Sequence, residues 1–185
     1  GNKFEARLDE YCQKKTLESL DLPFYPLATD LSNGKEFVIK SGSIAKAIHA
    51  SCAIPGLFAS VEWKKKILVD GAISSPVPVE TAIKTGADFV IAVNLNSYSF
   101  NQTKSQQIAK PKISTIGISA IEILQSNLAK QKCEQADVII LPDVNSVPSL
   151  NLRRFVDGAD IIEKGYQACL RLIPEIEEKM SKDLT

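Results

Sequence analysis

One aspartate in this chain follows directly on a short apolar run: in Lys66-Ile67-Leu68-Val69-Asp70-Gly71-Ala72 a carboxylate takes over where hydrophobic residues stop. An apolar run of this length predicts a strand buried in a parallel sheet, with Asp70 emerging at the carboxyl end, where open α/β folds build their sites. Gly71 is expected to take positive φ there and turn the chain sharply, so that the turn Gly71-Ala72 holds the carboxylate at the rim of the sheet. Such a carboxylate suits general-base chemistry, because an alcohol is a poor nucleophile until its proton has an acceptor. Two other aspartates are rivals. Asp30 follows the predicted strand Phe24 to Ala28, and Asp143 follows Leu141-Pro142, but both read first as turn residues. The single histidine, His49, lies inside a predicted helix and reads as a packing residue rather than a base. A strand ending in aspartate also suits a phosphate-loop enzyme, yet Gly34-Lys35 has Thr29 where the first glycine of such a loop belongs.

The stretch around this aspartate carries a longer pattern. Ala45 to Leu95 reads AKAIHASCAIPGLFASVEWKKKILVDGAISSPVPVETAIKTGADFVIAVNL, and Pro26 to Lys35 reads PLATDLSNGK. Together they resemble the second half of the patatin-like phospholipase domain, of the bacterial single-domain type. That family shows an ATDL-x-TGK segment, an AIRAS-S-x-PG-x-F stretch, a D-G-G or D-G-A motif, N-x-P-V and G-A-D-x-V-I-A-V in this order. The resemblance implies an α/β, three-layer fold with a mainly parallel central sheet, here lacking its N-terminal part, so that residues 1–185 form the C-terminal portion of one patatin-like domain. It implies lipid acyl hydrolysis by a Ser-Asp dyad with Asp70 as the aspartate, supported by the turn at Gly71 and Ala72. A lipid or fatty-acyl ester is the expected substrate, with room for peripheral membrane contact, and no cofactor or metal is expected.

The serine of that dyad sits in a G-x-S-x-G elbow, and no serine of this chain has the two glycines. Ser43 has Ser41 and Ala45 at those positions, Ser119 has Gly117 but Ile121, and Ser74 and Ser75 share the turn of Asp70. The glycine-rich oxyanion loop is missing as well. With Met180 the sole methionine, the chain is expected to be part of a longer protein whose upstream segment carries both, and to be inactive alone. The alternative is a non-catalytic scaffold or lipid- or partner-binding module. Three positions depart from the family: His49 stands for arginine, Cys52 for serine, and Ser75 for asparagine.

The elements that must position Asp70 follow from periodicity. Helices are expected over Asn2 to Lys15, Ser43 to Cys52, Val79 to Thr85 behind Pro78, a long one marked by Ile113, Ile116, Ala120, Leu124 and Leu128, and Phe155 to Leu172. Further strands are expected at Glu36 to Lys40, at Phe89 to Leu95, which reads as fully buried, and at Asp137 to Leu141. The polar stretch Asn96 to Lys110 is a loop. Acidic and basic residues balance at 22 each, which removes the electrostatic case for nucleic acid. Cys12, Cys52, Cys133 and Cys169 are too widely spaced for a zinc site and give no disulfide framework, so a cytoplasmic setting is the expectation. No apolar run approaches the roughly twenty residues that span a bilayer.

Overall fold

A computed structural model describes residues 2–96, 113–144 and 158–183. They divide into two units, Gly1–Ser75 and Pro76–Thr185, each with its own core.

The first unit opens on α1 (Asn2–Tyr11), which ends earlier than periodicity predicts because Gln13 and Lys14 turn into the left-handed region. The strands β1 (Leu27–Asp30), β2 (Lys35–Val38), β3 (Val61–Trp63) and β4 (Lys66–Asp70) form one sheet in the order β2-β1-β4-β3. All three pairings are antiparallel, so the parallel surroundings expected for the Asp70 strand are not what the structure shows. The reason lies in a hairpin that β-propensity alone did not reveal. Lys64 and Lys65 alone connect β3 to β4, with φ of 46° and 66°, and a two-residue link of this hand joins only antiparallel strands. Asn-Gly would have announced that turn, whereas Lys-Lys did not. Asparagine-glycine chemistry does announce the β1–β2 turn, where Gly34 takes φ +68°.

Across one face of this sheet lies α2 (Ile44–Ser51), started by Ser43, whose hydroxyl accepts the Lys46 N–H at 3.2 Å. Its Ala47 and Ala50 have no side chain to hold the sheet away, and they pack with Ile44 against Ala28, Val61, Trp63 and Leu68. Leu68 is fully enclosed, which burial of a leucine makes worth roughly 1.5–3 kcal/mol to the fold.

In the second unit, α3 (Val79–Lys84) follows Pro78 and stops at Gly86, φ +100°. The strands β5 (Ile91–Val93) and β6 (Val138–Ile140) pair in parallel, joined through α4 (Ile113–Lys132). Mixed helices and sheets thus give the α/β class expected, with parallel pairing here and antiparallel pairing in the first unit. Two expectations fail. The strand β5 is not fully buried: Ala92 is enclosed, but Ile91 and Val93 are exposed, because the described sheet here has only two strands. The stripe Ile116, Ala120, Leu124 does not face the core either. The helix instead buries Ser126 and Ala129, and Ala129, with Cys133 just beyond the helix end, packs in one cluster with Val77, Val79 and Val90. Two more helices follow, α5 (Ala159–Leu170) and α6 (Ile173–Asp183), and Pro174 in the first turn of α6 matches the predicted interruption. Apart from Asn96, the polar stretch 96–110 lies outside the described residues, as do residues 155–157 of the predicted helix.

Candidate active site

Asp70 is the last residue of β4, opposite Ala28 of β1. Side chains alternate along a strand, so Asp70 shares with Leu68 and Ala28 the face on which α2 packs. The chain leaves α2 at Cys52, and the Ala53 carbonyl accepts the Asp70 N–H at 3.0 Å. Burial is the larger influence on the carboxyl and pushes its pKa up, while the Ala72 N–H, donated to Oδ1 at 2.8 Å, works against it. Among the described residues no other group hydrogen-bonds this carboxylate, and no cation is paired with it. Oδ2 has no hydrogen-bond partner among the described residues.

The turn behind Asp70 is built differently from expectation. Gly71 is not at positive φ; it begins a 3-10 turn, Gly71–Ile73, that Asp70 caps. Glycine is required here by space. A Cβ at position 71 would lie 2.2 Å from the Leu27 carbonyl oxygen, so β1 and this turn meet at a distance only a hydrogen allows. The Gly71 carbonyl in turn accepts the N–H groups of Ser74 and Ser75, at 3.1 and 2.9 Å. Sequence reasoning missed Thr29. Its buried hydroxyl donates to the Asp70 carbonyl at 2.9 Å and lies 2.8 Å from the Ser74 hydroxyl, fastening the end of β4 to β1. The only signal in the sequence was its period-two position in an apolar strand. Ser74 is thus occupied by Thr29, and the buried Ser75 hydroxyl has no partner among the described residues.

The rival residues sort clearly. Asp30 sits in β1 rather than after it, opposite Leu68 and so at the other end of the sheet from Asp70. Its carboxylate pairs with Lys66 and accepts from the Ser32 N–H and hydroxyl at 3.0 and 2.7 Å, partners that lower its pKa to about 2. This is turn chemistry. Asp143 follows β6 in the second unit. His49 is 4% exposed, with Nδ1 3.2 Å from Glu5 and its ring edge-on to Phe4 at 5.5 Å, so it packs α2 against α1 as a helix-face residue should. Cys52 is exposed, yet its thiol is pushed up by partial burial and by the charge of Asp70 beside it, which keeps it protonated. Among the described residues no three potential ligands gather around a metal position, and no helix is long and apolar enough to cross a membrane.

A strand-end carboxylate, desolvated and hydrogen-bonded by its own turn, stands in a segment with known relatives. Residues 2–83 match the family model of the patatin-like phospholipases, and this part of the chain is similar to that family. It is 41% identical to an uncharacterized NTE family protein of Mycobacterium bovis over 43% of this chain and 22% of that protein. A second uncharacterized NTE family protein, from Mycobacterium tuberculosis, is 22% identical over 95% of this chain and 33% of its own length. The patatin-like phospholipase domain-containing protein 6 of Mus musculus is 29% identical over 52% of this chain and 7% of its own. The chain thus spans a third or less of these relatives.

Proposed function

We propose that the protein to which these residues belong is a serine-dependent lipid acyl hydrolase in which Asp70 is the base of a Ser-Asp dyad. The supporting observation is the Asp70 carboxyl itself: it is partly desolvated, fixed through Oδ1 by the Ala72 N–H, and without a partner at Oδ2 among the described residues. A raised pKa brings a carboxylate closer to the working range of a general base. Its Oδ2 would accept the proton of a serine hydroxyl as that oxygen attacks the ester carbonyl, and return it to the leaving alcohol. The serine and the oxyanion donors would come from a segment outside residues 1–185, which we read as the C-terminal portion of one patatin-like domain. The match to the patatin-like phospholipase model supports an acyl ester of a lipid as substrate. A cytoplasmic setting is part of the same reading.

Asp70→Asn in the longer protein should preserve the fold, since an amide oxygen still accepts from Ala72, and lower ester hydrolysis by about two orders of magnitude or more. The 185-residue chain by itself should not be labelled by a fluorophosphonate. Near-normal turnover by the folded variant would remove Asp70 from the reaction, and labelling of a serine within the chain would relocate the nucleophile.

A further inference from the structure

Both backbone polar groups of Asp70 are held by residues outside its own strand: the N–H by the Ala53 carbonyl at 3.0 Å, and the carbonyl by the Thr29 hydroxyl at 2.9 Å. Register keeps Thr29 away from the carboxylate. Ala28 stands opposite Asp70 and Thr29 opposite Val69, and side chains alternate between faces, so the Thr29 side chain lies on the reverse face of the sheet from the Asp70 carboxylate. It is 1% exposed and reaches the site only through the backbone.

A count of protons gives this contact a direction. A threonine hydroxyl has one proton and a carbonyl can only accept, so Thr29 donates to Asp70. The Ser74 hydroxyl, 2.8 Å from Thr29 Oγ1, is then the donor of that second pair; its other acceptor, the Gly71 carbonyl, lies farther off at 3.4 Å. One buried oxygen on β1 thereby fastens both ends of the site turn, Asp70 where it begins and Ser74 where the 3-10 segment closes. Between them lies Ala72, whose N–H fixes Oδ1 at 2.8 Å.

We propose that Thr29, assisted by Ser74, is a positioning residue for the Asp70 base: its hydroxyl clamps the turn that aims the carboxylate. The proposal deepens the hydrolase reading and rests on it for what the carboxylate does. A general base must meet its proton within hydrogen-bond reach, and a misplacement of about 1 Å can cost up to about a hundredfold in rate. Removing the Thr29 hydroxyl leaves the carboxylate in place and releases the turn behind it. Thr29 is enclosed on the reverse face and touches nothing that would bind at Asp70, so the loss falls on kcat and not on KM.

The test measures turnover of a short-chain p-nitrophenyl ester by the longer protein, with the melting temperature of every variant. Thr29→Val should lower kcat about tenfold or more with KM within about twofold, and Thr29→Ser, which keeps the hydroxyl, should stay within about threefold of the parent kcat. Ser74→Ala leaves the Thr29 donation intact and should lose less, about threefold. Asp30→Asn controls for stability alone: it breaks the Lys66 pair at the other end of the same two strands, and should lower the melting temperature while kcat stays within about twofold. In an Asp70→Asn background, Thr29→Val should cost less than about twofold more, because it acts only through that carboxylate. Parent-like kcat in folded Thr29→Val, an equal loss in Thr29→Ser or Asp30→Asn, a change confined to KM, or a fully additive loss in the double variant would each overturn the proposal. If Thr29→Val does not fold, Ser74→Ala in the two backgrounds decides, and an unchanged kcat there overturns it. Undiminished turnover in Asp70→Asn alone would remove the hydrolase reading and this role with it, whereas a fall there beside parent-like Thr29→Val would remove the positioning role only.

Discussion

The two units of this chain solve the packing problem to different degrees. In Gly1–Ser75, four strands and α2 enclose a cluster running from Leu17 to Leu68, and the polar groups left inside are mostly tied down: Thr29 to the Asp70 carbonyl, Asp30 to Lys66 and Ser32. In Pro76–Thr185, two parallel strands and α4 share a core of small and β-branched residues, while Ile91, Val93, Leu95, Ile116 and Leu124 remain exposed and α5 buries none of its residues. A site that depends on one carboxylate held within tenths of an ångström needs the first kind of surroundings. The difference teaches that the Asp70 turn is rigid because its own unit completes it, whereas the exposed apolar surface of the second unit is a hazard for association.

Native-state hydrogen exchange would break that comparison most directly. Amides of β1 and β4 should be protected at least about a hundredfold more than those of β5 and β6, and similar protection in both would mean that the second unit is as stable as the first. Gly71→Ala tests the close approach on which the site turn depends. A methyl 2.2 Å from a backbone oxygen must displace β1 or the turn, so chemical denaturation should show a loss of about 3 kcal/mol. Gly86→Ala, where nothing lies within 4 Å and only positive φ is strained, should cost about 1–2 kcal/mol. Thr29→Val removes the hydroxyl with little change of shape and leaves the Asp70 carbonyl unpaired, for a loss of about 1–2 kcal/mol by the same measurement.

The smallest effect concerns pH and runs in opposite directions for the two aspartates. Asp70 has a raised value in the folded state, so the stability contributed by its neutral form is present below about 3.8, the ordinary carboxylate value, and is lost as pH rises through the folded value. Asp70→Asn should therefore melt above the parent chain at neutral pH, with the gap closing below about pH 3.8. Asp30, held at about 2, contributes stability above the ordinary value that disappears as pH falls toward 2. Asp30→Asn should melt lower at neutral pH and converge with the parent in strong acid. A melting temperature of Asp70→Asn below that of the parent at pH 7 would show instead that the carboxylate stabilises its turn.

The linear chain determined a good deal by itself. Local chemistry placed the helix behind Ser43, the turn at Asn33-Gly34, the helix behind Pro78 and the strand ending on Asp70, because each depends on residues adjacent in sequence. The order of its motifs gave the family resemblance that the match over residues 2–83 carries, since a pattern spread over many positions survives even where single residues change. Tertiary structure alone decided the direction of the neighbours of β4, the face α4 turns inward, and the true demand for glycine at 71, because each depends on what arrives from elsewhere in the chain. The hairpin hid behind two lysines, the inward face of α4 behind small residues that hydrophobic periodicity undervalues, and the role of Thr29 behind a partner 41 positions away. The lowered carboxyl of Asp30 and the raised one of Asp70 belong to the same category: both are strand-end aspartates in sequence, and only the partners gathered by folding make one a structural ion pair and leave the other partly desolvated without a cation.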